Sequence, residues 1–434
     1  MRKAPACVPA SACGVSGKRK DDGAVVDRPF AERVAVPTPA DATARDSADR
    51  GELIALADYG DLGADWQRLE AAADCAPFLS WAWVSIWLRH LPKTIRPLVF
   101  RLRVNGEIVA LTLLVHVRER GIRRLAGVRP IMVQETGDDV IDEITIEYAG
   151  LLVRRGEEAR AYSALFAALE DPPPRWGSLR ISASTHAQAI AEALPPTMRA
   201  FVTRSSPSYR VDLAALRASG RSYLEALSSG TRNILRKTRR AYEALGPLRA
   251  DVAPDADVAL QYLDELRGLH DRYWKSKGLR GSFASAFFVA FHRDLVRECT
   301  ASGFTQLIRI SAGPATIGYL YNLVWRGQAY FYNAGLNYGL LAHHDRPGYL
   351  AQLLAIELHL AGDTLCYDLL AGDQQYKRSL STGSVRLDWI DVRPVGWRLL
   401  AHRAVTKLIR RKPSVPLADA LADAADATTP ERSS

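Results

Sequence analysis

Asp368-Leu-Leu-Ala-Gly-Asp-Gln-Gln-Tyr-Lys377 reads as the end of a strand, a glycine turn and the start of a helix. The apolar run 365–370 is the strand, Gly372 turns the chain, and a short helix follows over 374–380 with Asp373 in N-cap position. Tyr376 and Lys377 then fall in the first helical turn. The carboxyl end of a strand is where a sheet covered by helices presents reactive groups. A tyrosine there can protonate a leaving group and a lysine can hold a phosphate. The competing interpretation has Asp368 and Asp373 merely capping and Tyr376 packing.

Working outward, a helix over 347–361 ends at Gly362 before this strand. Three strands over 305–311, 316–325 and 328–336 precede that helix, joined by Ala312-Gly313-Pro314 and Arg326-Gly327. With no helix between them, they form an antiparallel meander. Helices are expected at 219–227, 231–245, 257–276 and 285–301, and a last strand at 385–392. The order is helices, meander, helix, strand, helix, strand. A turn at Ser205–Ser208 leads into this half, and a strand resumes at 209–213.

The first half is mixed. Helices are expected over 65–73 and 78–90, the latter dense in Trp81, Trp83 and Trp87, a stripe that reads as core. Strands follow at 97–104 and 108–117 around an Asn105-Gly106 hairpin turn, and another at 144–153. A helix over 156–170 stops at Asp171-Pro172-Pro173-Pro174. A short strand at 179–182 and a helix at 188–194 complete a half that reads as a degenerate copy of the second.

The chain has 434 residues, 48% of them hydrophobic, enough for two or three domains with sizeable cores. Its net charge of +9 admits nucleic acid, an anionic membrane or a phosphate-rich ligand and selects none. The five cysteines, Cys7, Cys13, Cys75, Cys299 and Cys366, show no Cys-x-x-Cys pair and no zinc-type spacing with histidine. They read as reduced thiols of a cytoplasmic protein, Cys366 as core filler, and no metal is expected. The longest apolar run, 108–117, is too short to cross a bilayer. No hydrophobic segment follows Arg2 and Lys3, so no secretory signal is read. Residues 1–50 read as a disordered head, 51–205 as one unit, 206–393 as a second, and 413–434 as a disordered tail. Between them, 394–412 reads as a basic amphipathic helix able to lie on the inner face of a membrane or to pack on the domain.

Three more segments can carry chemistry. In His343-His344-Asp345-Arg346-Pro347-Gly348-Tyr349, a helix begins with free N–H groups beside Arg346 and Gly348, an anion site suited to a pyrophosphate. His344 is a candidate general base; the two histidines lack a third metal ligand. In 229–240, Arg232 and Arg236 share a face, opposite a stripe of Ile234, Thr238, Ala241 and Leu245, and suit an acidic substrate, a nucleotide or RNA phosphates. With Trp274, on the next long helix, they are the candidate acceptor-binding residues. In 330–336, Gly335 inside a strand marks a bulge or a close backbone approach. A splayed strand there frees N–H groups to polarise a thioester carbonyl.

Together these segments resemble the GNAT-type acetyltransferases. They are most similar to the group associated with cellulose and exopolysaccharide biosynthesis (CelD/BcsL type), which is akin to the FemAB aminoacyltransferases. The resemblance runs from about Asp65 to Val392 and is strongest from Ser208 onward. It implies an α+β fold of two tandem GNAT-like units, each a mixed, mostly antiparallel sheet flanked by helices. It implies an N- or O-acyltransferase that uses acetyl-CoA or another acyl-CoA and no metal, with a sugar or small-molecule acceptor in polysaccharide or envelope biosynthesis. By the resemblance, the strand around Asn333 and Gly335 binds the donor's pantetheine, Arg346, Gly348 and Tyr349 bind its pyrophosphate, and Tyr376 protonates the thiolate; the residues themselves add Lys377 as a phosphate ligand and Asp373 and His344 as catalytic candidates. The family's Arg/Gln-x-x-Gly-x-Gly/Ala loop is absent, and Arg346-Pro347-Gly348 stands in its place. An aminoacyl-tRNA donor, as in FemAB-like relatives, therefore remains an alternative, as does a non-catalytic accessory subunit of a polysaccharide synthase.

Overall fold

The computed structural model describes residues 51–117, 129–170, 176–395 and 415–417. The expected head, the proline-rich helix stop at 171–174, the basic helix at 397–412, most of the tail, and Cys7 and Cys13 lie outside the described residues.

In the first half, β1 (Gly51–Ala55), α1 (Leu62–Ala72) and α2 (Trp81–His90) lead into the hairpin of β2 (Leu98–Val104) and β3 (Glu107–His116). Asn105 and Gly106 make its two-residue turn with φ of 52° and 82°, the left-handed pair such a turn requires. β4 (Arg129–Val133), the short β5 (Leu152–Val153), α3 (Glu158–Glu170), β6 (Trp176–Ser184), α4 (Ala187–Ala193) and β7 (Met198–Asp212) follow. The second half comprises α5 (Leu213–Ser219), α6 (Tyr223–Ala226), α7 (Ser229–Glu243), β8 (Leu248–Val252), α8 (Ala256–Ser276) and α9 (Ala286–Cys299). Its meander is β9 (Thr305–Ala312), β10 (Ala315–Trp325) and β11 (Gln328–Leu336). α10 (Pro347–Ala361), β12 (Cys366–Ala371), α11 (Gln375–Leu380) and β13 (Gly383–Pro394) complete it, and β14 (Val415–Pro416) pairs with β7.

The expected α+β architecture is present. One mixed sheet, flanked by helices, runs β1-β2-β3-β4-β6-β13-β7-β12-β11-β10-β9-β8. Each half has the same plan: meander, helix, strand, helix, strand. The two last strands are exchanged. β7 of the first half pairs with β12 of the second, β13 pairs with β6 of the first, and β7 and β13 pair with each other between them.

Two expectations change here. The turn at Ser205–Ser208 is instead the middle of β7, so the expected boundary between units falls inside a continuous strand. Its serines read as turn residues because they can bond their own backbone. They bond neighbouring strands instead: Ser205 Oγ donates to Asp388 at 2.5 Å and Ser208 Oγ to Asp368 at 2.7 Å. The strand expected over 144–153 is mostly a loop, of which only β5 pairs. Positive φ at Thr145 and Tyr148 breaks any extended run there.

A shared core joins the halves. Trp66, Trp83 and Trp87 of α1 and α2 are buried with Leu263 and Leu266 of α8 and Phe288 and Phe291 of α9. Trp83 packs edge-on against Phe291 at 4.7 Å between centroids, so the tryptophan stripe is core, as expected. The other face of the second half is covered by α5, α7 and α10. β10 alternates between the two faces: Tyr319 and Tyr321 face α8 and α9, whereas Leu320 faces α10. Across the join, Trp325 Nε1 donates to Cys75 O at 2.9 Å, and Arg326 donates to the carbonyls of Ala73 and Glu70.

Candidate active site at the diverging strands

β11 runs parallel to β12 only over Gln328–Tyr330, paired with Cys366–Asp368. Beyond that the strands part, and β11 stays paired with β10 alone. A bulge accompanies the divergence: Tyr321 faces Asn333 and Asn322 faces Phe331, which leaves Tyr332 as the extra residue. The bulge is pinned from below. His292, fully buried on α9, bonds Tyr332 Oη through Nε2 at 3.0 Å and Tyr321 Oη through Nδ1 at 3.2 Å. Tyr332 Oη donates onward to Ile144 O, in the loop from the first half. Tyr332 Oη spends its proton on that carbonyl, so it accepts from His292 Nε2–H, and Nδ1 accepts from Tyr321. Burial drops the His292 pKa to about 3, which keeps the ring neutral.

Gly335 follows the bulge. A β-carbon there would lie 2.2 Å from Leu266 O, so this glycine lets α8 touch the strand. The close approach was expected; the partner is a helix backbone. Asn333 Oδ1 accepts the N–H of Ala334 at 2.8 Å.

β12 ends in a buried polar knot. Asp368, fully buried, accepts from Tyr148 Oη at 2.6 Å, from Ser208 Oγ at 2.7 Å and from its own strand's Leu370 N–H at 2.7 Å. Leu370 has φ of 59°, a strained value for a leucine, and forms a bulge that turns the chain towards α11. Glu147 accepts the Ala371 N–H at 2.7 Å. Burial pushes the Glu147 carboxyl up to about 7, against the pull of Lys377, the Ala371 hydrogen bond and Arg204. Burial likewise raises Asp368, which its hydrogen bonds and Lys377 oppose. Glu147 and Tyr148 come from the irregular loop of the first half. Their sequence signal is the set of acids Asp138, Asp139, Asp142, Glu143 and Glu147 interspersed with apolar residues, the last of them within the stretch that reads as a strand.

The expected site residues are spread over the β12–α11 join, the start of α10, α7 and α8. Lys377 is buried, and its Nζ donates to Leu370 O at 3.1 Å and Ala371 O at 2.8 Å, closing the end of β12. Its ammonium thus holds backbone carbonyls where a free phosphate ligand was expected. Asp373 is not the N-cap of α11; Gln374 is, without a side-chain bond. Asp373 is exposed and instead ties Tyr209 Oη, at 2.9 Å, to Arg378. Tyr376 is half-buried in the first turn of α11, among the residues packed with Leu380. Arg346 is the N-cap of α10, Pro347 its first residue, and the Arg346 guanidinium lies 5.9 Å from the Tyr349 ring. Gly348 sits against Leu336 of β11, so the start of α10 adjoins the diverging strand. His344 is exposed with φ of 59°, in the loop before that helix. Arg232 and Arg236 lie on α7, on the α10 face, whereas Trp274 lies on α8, on the other. The structure does not bring these three together. The buried stripe of α7 is Thr231, Leu235, Thr238 and Tyr242, one step round from the expected Ile234 stripe. Trp274 Nε1 donates to His270 at 2.9 Å.

The described cysteines are free, and burial pushes the Cys75 and Cys299 thiols up to about 11 and Cys366 to about 12, far from nucleophilic use.

Residues 229–378 match the family model described as an acetyltransferase (GNAT) domain. That span, roughly a third of the chain, runs from α7 through Arg378 and holds most of the diverging-strand site; Ile144, Glu147, Tyr148, Ser208 and Tyr209 lie outside it. The first half lies outside it. The fold is similar to that in the crystal structure of FemX, with a TM-score of 0.53 at 8% identity over 80% of this chain and 98% of that one. Two others are the C-terminal domain of a protein described as a putative lysylphosphatidylglycerol synthetase from Agrobacterium fabrum and a tandem GNAT protein from the clavulanic acid biosynthesis pathway. The first has a TM-score of 0.47 at 12% identity over 81% of this chain and 98% of that one. The second has 0.42 at 14% identity over 80% and 99%. No curated protein matches the sequence. Among the described residues, no helix is long and apolar enough to cross a membrane.

Proposed function

We propose that this protein is an acyltransferase that moves an acyl group from a CoA thioester to an amine or hydroxyl acceptor, in polysaccharide or envelope biosynthesis. The divergence of β11 from β12 beside the start of α10, inside the GNAT-matching span, carries this reading. The pathway rests on the resemblance to the CelD/BcsL type.

In this scheme the donor's pantetheine follows the Asn333–Gly335 backbone, displacing the Asn333 side chain from Ala334. Its pyrophosphate meets Arg346 and the N–H groups of Gly348 and Tyr349. The acceptor's nitrogen or oxygen attacks the thioester carbonyl, the C–S bond breaks, and CoA leaves as a thiol after taking a proton from Tyr376. Glu147 is a better candidate than His344 for receiving the acceptor's proton, because its carboxyl stands near 7 and is held in place at the end of β12. Asp373 keeps the β12–α11 turn in shape through Arg378 and Tyr209. Catalysis is mainly positioning and carbonyl polarisation.

Isothermal titration with acetyl-CoA and longer acyl-CoAs tests the donor. Saturable binding by at least one is expected; none, from folded protein, would reject the reading. The exposed Arg236 face of α7 favours aminoacyl-tRNA as the second choice. Salt-dependent binding of tRNA with indifference to CoA would establish that choice instead.

A further inference from the structure

Where the exchanged strands β7 and β13 run side by side, Arg204 stands directly opposite Trp389. The guanidinium carbon lies 4.1 Å from the centre of the indole ring, over its face. Arg204 is exposed and Trp389 half-buried. The tryptophan is held by its own backbone: its carbonyl accepts from Thr203 Oγ1 at 3.1 Å, and the register shifts just after it.

The neighbouring carboxylates are committed elsewhere. Asp388 is bound by Arg386 at 2.9 Å and by Ser205. Asp391 is bound by Arg180 at 3.2 Å and Arg393 at 2.8 Å. Among the described residues, Arg204 has no carboxylate within ion-pair distance, yet it lies near enough to Glu147 to pull that carboxyl down. An exposed arginine held over a ring, with no carboxylate paired to it among the described residues, suits a carboxylate or phosphate held by two parallel hydrogen bonds.

We infer that Arg204 and Trp389 form an anion-binding subsite that anchors the acceptor by a carboxylate or phosphate group, on the seam between the two halves. The inference rests on the transferase reading only in calling the ligand an acceptor. The indole adds an apolar edge on which a sugar ring can lie. A neutral sugar without the anion lacks the stronger of the two contacts.

The test is isothermal titration of the full chain at low salt with glucose 1-phosphate, glucuronate and glucose. One or both anions should bind and glucose should not. Binding of the phosphate alone or of the uronate alone identifies the anion, and either supports the subsite. Arg204→Gln should weaken the anion roughly tenfold or more, the loss expected for a charge-assisted bond. Arg204→Lys, which keeps the charge and loses the fork, should fall between. Trp389→Phe should weaken binding a few-fold. Acetyl-CoA binding, measured on the same samples, should be unchanged in Arg204→Gln. Failure of both anions to bind the wild type, or equal binding by Arg204→Gln, would overturn the inference. So would loss of acetyl-CoA together with the anion, which would give the subsite to the donor. If acetyl-CoA binds no form while the anion still depends on Arg204, the donor reading fails and this one stands.

Discussion

The two halves share a plan, and their differences locate the chemistry. β6 and β12 each carry a bulge with one residue in the left-handed region, Ala183 at 46° and Leu370 at 59°. Aligned on that bulge, Asp368 of the second half corresponds to Ile181 of the first, and Lys377, at the same spacing, to Ile190. Both isoleucines are buried in an apolar cluster. The helix starts differ too. α10 begins with Arg346 and Pro347 and has no acid in its first turn, whereas α3 begins with Glu158, which accepts the Gly156 N–H at 3.2 Å. Glu158 puts a negative charge at the positive end of α3, which disfavours a phosphate there. In the first half, Glu135 and Ser182 also bond across the gap where β4 and β6 part. The second half has Asp368 and Lys377 where the first has buried isoleucines, while the first half's own gap is closed by the Glu135–Ser182 hydrogen bond.

If this contrast is right, the corresponding positions should respond unequally. Asp368→Ala strands Tyr148 Oη, Ser208 Oγ and the Leu370 N–H and should cost about 3–5 kcal/mol in urea unfolding. Ile181→Val should cost only about 1 kcal/mol. Equal costs would break the comparison. Tyr376→Phe should lower kcat about 100-fold with an unchanged melting temperature. Full activity in that variant would remove the tyrosine from the chemistry.

A smaller effect concerns pH. The Glu147 carboxyl is raised from 4.5 to about 7 by folding, so its contribution to stability is fully present below about pH 4.5 and is lost as pH rises through 7. Glu147→Gln should therefore leave stability at pH 4.5 nearly unchanged and raise it by about 1–3 kcal/mol at pH 8. Glu135, raised to about 8 by burial, slopes the same way in both proteins, so the difference between wild type and variant isolates Glu147. Parallel pH curves would show that Glu147 is charged at neutral pH.

The second half was readable because its signals are local. Glycines and prolines punctuate the meander, and Pro347 opens and Gly362 closes α10 within the expected bounds. The first half was harder. β4, only five residues long, and the edge strands β1 and β8 lack an alternating pattern long enough to register. The passage from Ser205 to Ser208 imitates a turn because serines serve turns and strand crossings equally. The site was legible in part. The β12–α11 join, Gly335 and Arg346 stand on one continuous stretch of chain, but Glu147, Tyr148 and Arg204 reach the join only through the fold. No spacing in the sequence relates Tyr148 to Asp368, because that contact exists only after the two halves meet.

The exchange of β7 and β13 also has a consequence for synthesis. When β6 leaves the ribosome, the strand that will cover its edge is still about 200 residues from being made, a wait of about 10–40 s at ordinary elongation rates. Throughout that interval the first half carries an open edge of the kind that invites pairing with other chains. The protein reaches its native sheet only when nearly the whole chain is present. A truncated product should therefore be not a smaller enzyme but an aggregation-prone one.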